Sequence, residues 1–312
     1  MRNRLRATGH RLQVALLLCG VLLSSCGTST APGKKRVAVV VKALDSEFWM
    51  AVKSGVDAAA REHPELEVSI MAPPREIDID QQVALIEDQI VRKVSALVVS
   101  PGGAAQVTPV LERAKSQGIP VILVDTDAPW EGKLSFIGTD NRLGGRLAGE
   151  YLVKRLNGKG KVALVSGIPG VDAHELRLAG CKDALAAAPG IKVVAEQPAN
   201  SERALAMNVM ENILTSQKDL DAVFATNDQM ALGVLEALQA RGLDKRVFVI
   251  GFDAGKEILG HIQAGRVAAA VAQRPFEMGR QAVDAAARVL RGETIPKRID
   301  TGTALATKDN LK

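Results

Sequence analysis

From Arg36 onward the chain repeats one unit, a short β-branched apolar run followed by a stretch with helical spacing of apolar residues. The runs fall at 37–41, 67–71, 96–99, 121–124, 161–165, 191–195, 222–225, 247–250 and 267–271. Helical patterns lie between them at 48–62, 81–92, 106–117, 144–156, 202–215 and 229–241. Runs apolar on both faces, about 25–30 residues apart with helices between, indicate parallel strands covered on both sides. The fold class is α/β, doubly wound. One sheet of nine or more strands and two smaller sheets both satisfy this pattern. The stretch Phe136-Ile137-Gly138-Thr139-Asp140-Asn141 favours two sheets, because a short strand, a polar turn and a glycine-rich helix start break the rhythm. We place a lobe crossing there.

The amino end reads differently. Residues 1–11 carry Arg2, Arg4, Arg6 and Arg11 with no acid, and 12–23 are mostly apolar. That is a secretory leader, whose apolar part of about a dozen residues is too short to span a ~30 Å hydrocarbon core. It closes with Leu23-Ser24-Ser25-Cys26, which resembles the lipobox of bacterial lipoproteins, where cleavage precedes the cysteine and its thiol takes a diacylglycerol. We expect a leader over 1–25, lipidation at Cys26 and a polar tether over 26–36.

The leader also explains the charge. The whole chain is +5, with 40 basic and 35 acidic residues. Four of the basic residues sit in 1–25, so the remainder is close to neutral and no basic stripe suggests nucleic acid. Of three cysteines, Cys19 leaves with the leader and Cys26 takes lipid. Cys181 alone remains, so the expectation is no intrachain disulfide, with Cys181 a small core residue of an alanine-rich helix.

Nothing in the pattern suggests catalysis, a metal or a cofactor. The first strand leads into Lys42-Ala43-Leu44-Asp45, with no Gly-x-Gly-x-x-Gly loop, and Ser100-Pro101-Gly102-Gly103 lacks the lysine and hydroxyl of a phosphate loop. His63, His174 and His261 are scattered without metal or triad spacing, and His174 reads as a surface helix residue.

Ligands of open parallel sheets bind beyond the carboxyl ends of the strands. The residues there are Lys42, Ser100 and Asp125 in the first half, and Asn227, Asp253 and Gln273 in the second. Any one of them alone reads equally well as a cap or turn residue; all six together point to a site. Aromatics make up 3% of the chain, yet Phe48 and Trp49 are adjacent just after the first strand. A sugar suits this combination, because its hydroxyls match carboxylates and nitrogen donors while its C–H faces match aromatic rings. Arg177 adds a bidentate donor, with a solvated helix arginine as its alternative.

These residues resemble the ribose-type periplasmic binding proteins, including the allose-binding group, over nearly all of 37–312. The resemblance lies in Val39-Val40-Val41-Lys42-Ala43-Leu44-Asp45-Ser46-Glu47-Phe48-Trp49, Pro120-Val121-Ile122-Leu123-Val124-Asp125, Ala225-Thr226-Asn227-Asp228-Gln229-Met230, Gly251-Phe252-Asp253 and Val271-Ala272-Gln273. It implies two doubly wound parallel-sheet lobes joined by a three-stranded hinge, 37–139 with 274–300 and 140–273 with 301–312. It also implies a monomer that serves an ABC permease and closes over a sugar or polyol. Phe48 and Trp49 would stack on the ligand, and Asp125, Arg177, Asn227, Asp253 and Gln273 would bond its hydroxyls. Lys42 looks like the lysine of allose binders. Ser46 and Ser100 stand where ribose binders have asparagine, Thr126 where they have a second arginine, and Ser201 where they have an aromatic. These departures point away from ribose, to another sugar, a polyol or a larger ligand. A nucleoside or signalling molecule is the alternative ligand. A regulator of the same fold would carry a helix-turn-helix where this chain has its leader.

Overall fold

A computed structural model describes residues 33–311; the leader, Cys26 and most of the tether lie outside the described residues. The chain builds two six-stranded sheets. The first contains β1 (Lys35–Val40), β2 (Leu66–Met71), β3 (Ala96–Val99), β4 (Val121–Val124), β5 (Ser135–Gly138) and β11 (Arg298–Asp300), in the order β11-β5-β4-β3-β1-β2. Helices α1 (Glu47–Glu62), α2 (Ile79–Val91), α3 (Ala104–Ser116) and α9 (Pro275–Leu290) cover it. The second contains β6 (Lys159–Ser166), β7 (Gly190–Pro198), β8 (Ala222–Ala225), β9 (Phe248–Phe252), β10 (Ala269–Ala272) and β12 (Ala304–Thr307), in the equivalent order β12-β10-β9-β8-β6-β7. Its helices are α4 (Asn141–Arg155), α5 (Asp172–Ala186), α6 (Arg203–Ser216), α7 (Asp228–Ala240) and α8 (Lys256–Gln263).

Strand periodicity of two sorts each run between two cores. Val37 and Val39 pack toward Val52 of α1 and Met278 of α9, while Ala38 and Val40 pack toward Ile86 of α2 and Leu111 of α3. In the second lobe Ala163 and Val165 join Met210 and Leu235, while Val162 and Leu164 join Leu152 and Cys181. The strands are parallel except that β12 pairs antiparallel with β10. Neither β11 nor β12 is among the runs read in the sequence. Both are short, partly exposed sheet edges, so neither needs a continuous apolar run.

Helix starts are fixed by caps. Ser46 accepts from Trp49 N, Asp140 from Leu143 N and Asn227 from Met230 N. The α4–α5 pair makes a closer approach than any side chain allows. A Cβ on Gly145 would lie 2.0 Å from Arg177 O, and one on Gly180 would lie 2.0 Å from Arg142 O. The two backbones therefore touch, which sets the position of Arg177.

The chain passes between lobes three times, at Thr139–Asp140, Gln273–Arg274 and 301–303. The passages are bonded to one another: Thr301 N donates to Gly138 O at 3.0 Å and Thr303 Oγ1 to Ala272 O at 2.9 Å. Thr139 Oγ1, Gln273 Oε1 and Thr301 Oγ1 are each buried there with no hydrogen-bond partner among the described residues. No helix among the described residues is long and apolar enough to cross a membrane.

Candidate ligand-binding site

The carboxyl ends of the two sheets face each other across a cavity of ≈ 170 Å³. This lies below the ~300–1,000 Å³ of pockets for drug-sized ligands, so it suits a smaller molecule. Eight of the ten sequence-predicted residues line it: Lys42, Phe48, Trp49 and Asp125 from the first lobe, and Arg177, Asn227, Asp253 and Gln273 from the second half of the chain. Ser100 and Thr126 do not reach its wall. They stand behind Asp125, with Ser100 Oγ donating to its Oδ2 at 3.0 Å and Thr126 Oγ1 donating to the same oxygen at 2.8 Å. The strand-end pattern shows which loop a residue occupies but not which way its side chain turns, and these two turn inward.

On the first lobe, Lys42 Nζ lies 3.2 Å from Asp125 Oδ2 and donates to Thr126 Oγ1 at 2.8 Å. Burial opposes ionisation of Asp125, but the Lys42 and Arg177 charges and the two hydroxyls hold its carboxyl below the usual range. Phe48 and Trp49, in the first turn of α1, meet edge to face with centroids 5.0 Å apart. Trp49 Nε1 donates to Glu76 Oε1 at 2.7 Å.

On the second lobe, Arg177 is 3% exposed. Its Nε donates to Asn141 Oδ1 and its Nη1 to Thr226 O, both at 2.8 Å, and its guanidinium lies 3.8 Å over the Phe252 ring. Three of its five N–H groups remain for a ligand. Asn227 is both cap and lining: its Oδ1 is committed to α7 and its Nδ2 makes only a 3.5 Å contact to Ser201 O. Gln273 Nε2 donates to Asp253 Oδ1 at 2.6 Å. Burial pushes Asp253 up to about 6, and it pushes Asp228, with Asp253 beside it, up to about 7.

His174 is not the surface residue its sequence suggests. It is 4% exposed, with Nδ1 2.9 Å from Thr226 Oγ1 and Nε2 3.1 Å from Ser201 Oγ. A Cβ on Gly167 would lie 2.3 Å from its ring, so the glycine makes room for it. Burial, then Arg177 and Lys42, hold the imidazole well below its usual pKa, so it lines the cavity neutral. Cys181 is buried in the α4–α5 core, its thiol pushed up to about 12 by burial.

Sequence reasoning also missed Asp45, Glu76, Asp228 and Asn200, all of which line the cavity. Among them only Asn200 stands out by its backbone. Six non-glycine described residues have positive φ, and four line the cavity: Asp125 (64°), Asn200 (50°), Ser201 (64°) and Asp253 (70°). Strain of this kind concentrates at functional sites. The lobes also touch directly. Arg75 lies 3.6 Å from Glu202, and Glu257 N at the start of α8 donates to Glu47 Oε2 at 3.2 Å.

The periplasmic binding protein domain profile matches residues 37–294. The chain is 34% identical over 296 residues to the ribose import binding protein of Escherichia coli (strain K12), covering 95% of this chain and 98% of that protein. The chain belongs to the periplasmic binding protein family. Among solved structures, this periplasmic binding protein is similar to a carbohydrate transporter solute-binding protein from Agrobacterium radiobacter in complex with D-arabinose. The TM-score is 0.84 at 32% identity, over 90% of this chain and 96% of that one. It is similar also to an ABC transporter solute-binding protein from Bacillus halodurans C-125 with bound myo-inositol, with TM-score 0.84 at 30% identity over 89% and 96%. By its family, this periplasmic binding protein acts outside the cytoplasm as a solute-binding protein for transport and is not an enzyme.

Proposed function

We propose that this periplasmic binding protein captures a monosaccharide or related polyol between its lobes and presents it to the permease of an ABC importer. The observation that carries the reading is the shared cavity. Aromatic faces from α1, a charge-held Asp125 on one lobe, and Arg177 and Asp253 on the other converge on a space of ≈ 170 Å³. Ligand meeting one lobe and completing its bonds with the other shifts the population from open to closed. Moving that balance from 1:99 to 99:1 takes about 5.5 kcal/mol. A few charge-assisted hydrogen bonds of ~1.5–3 kcal/mol each supply it. The moving bodies are 37–139 with 274–300 and 140–273 with 301–312. The permease reads the surface they form together.

The ligands of the two structural relatives, a pentose and a cyclitol, bracket the expected size. Ribose itself is disfavoured, because Thr126 commits its hydroxyl to Asp125 and Ser201 pairs with His174. Residues 1–25 act as a leader and Cys26 carries lipid, tethering the body to a membrane through 26–36.

A thermal-shift screen of the body from residue 34 against pentoses, hexoses, polyols and nucleosides tests the reading. A ligand at a hundredfold of its Kd stabilises the native state by about 2.7 kcal/mol. At least one sugar or polyol should raise the melting temperature by several degrees. A shift with nucleosides alone would overturn the carbohydrate reading. Replacing Cys26 with serine should move the protein from the membrane to the soluble fraction; retention on the membrane would refute the anchor.

A further inference from the structure

We propose that the ligand of this cavity carries a positive charge, as an amino sugar or an aminated polyol does. The proposal rests on the sugar or polyol reading and narrows it.

Of the four cationic side chains in the wall, three are already engaged. Lys42 pairs with Asp125 at 3.2 Å, Arg75 with Asp78 at 2.8 Å, and Arg203 with Glu236 at 2.6 Å. Only Arg177 is in no ion pair among the described residues, its guanidinium lying on Phe252 instead. Against it stand four carboxylates of the wall that are likewise in no ion pair among the described residues: Asp45, Glu76, Asp228 and Asp253. The cavity therefore holds a surplus of negative charge in a place where water screens little.

The acceptors aimed at the cavity are also short of donors. Asp253 is 6% exposed, with Oδ1 held by Gln273 and Oδ2 without a partner among the described residues. Asp228 is bonded only by the amide groups of Gln229. Burial raises Asp45, Asp228 and Asp253, and the Glu76 charge adds to each.

A neutral sugar leaves this surplus in place. A primary ammonium removes one charge of it and brings three donors.

The test is titration calorimetry on the full chain in detergent at pH 7.5, with matched probes. These are D-glucose, D-galactose and D-mannose, their 2-amino forms and their N-acetyl forms, and myo-inositol with its monoamino analogues. In at least one set the amine should bind tenfold or more tighter than its neutral parent, and N-acetylation, where the set includes it, should abolish that gain. Glu76→Gln and Asp228→Asn should weaken the amine more than the parent. If neutral parents bind and amines bind no better in every set, the charged-ligand proposal falls while the sugar site stands. If neither series binds, the sugar site falls with it. Should a variant fail to fold, the matched probes on the unaltered chain decide alone.

Discussion

Asp125 and Asp253 hold the same station in opposite lobes. Each directly follows the fourth strand of its sheet in chain order, at φ 64° and 70°. Each backbone N–H donates to the neighbouring strand, to Ile137 O at 2.9 Å and to Val271 O at 2.8 Å. Their surroundings then set them apart. Lys42, Ser100 and Thr126 crowd Asp125, whereas Asp253 has only Gln273.

That asymmetry predicts different costs for the same substitution. Asp125→Asn leaves the buried Lys42 ammonium without its counter-charge and should destabilise the unliganded protein by about 3–5 kcal/mol. Asp253→Asn should leave stability nearly unchanged or raise it, and both should abolish ligand binding. Urea melts with and without ligand check this; equal destabilisation by the two would refute the asymmetry.

The unliganded protein should also lose stability as pH rises from about 4 to 7. Asp253 at about 6 and Asp228 at about 7 lie above their unfolded value of 3.8. The folded state therefore holds protons that the unfolded state has already released in that window. Asp125 shifts the opposite way, so its contribution is present above its unfolded pKa and is lost only in stronger acid. Melting temperatures of Asp228→Asn and the unaltered chain should diverge from pH 5 to pH 8, the variant being the more stable. Parallel curves would exclude the buried acid pair as the cause.

Gly145→Ala should act on the site from outside it. Its Cβ would meet Arg177 O at 2.0 Å and push α5 away from α4. Overpacking of this kind costs ~1–3 kcal/mol, and the displaced Arg177 should weaken ligand binding at least tenfold. Unchanged affinity in the folded variant would show that α5 does not position the arginine.

Glu47→Ala should speed ligand release about two- to fivefold, the worth of a carboxylate at a helix start being ~0.3–1 kcal/mol. Glu47 bonds α8 across the cleft and does not line the ligand cavity. Stopped-flow fluorescence of Trp49 follows the release. A change in association rate alone would contradict a role in holding the lobes together.

Much of this architecture is legible in the sequence because β3, β4 and β8 are buried on both faces, which leaves an apolar run with a polar residue just beyond. Asp125 stands out in that way, and Lys42 and Asp253 do so after the buried ends of β1 and β9. Glu76 does not, since an acid in a loop looks solvated until Trp49 is found bonded to it. Asp228 passes for a helix-start acid, and His174 hides beneath Gly167, a contact between residues set by the fold. Ser100 and Thr126 share the signal of Asp125 but turn toward it.

Thr139, Gln273 and Thr301, one at each passage between the lobes, keep an oxygen sealed from every donor among the described residues. Each such group costs about 1–3 kcal/mol until something bonds it. On the hinge closure proposed above, separating the halves should admit water to these oxygens. The shut form would then carry a tension that the cargo must outweigh, and the pivot itself would supply the recoil when the cargo leaves.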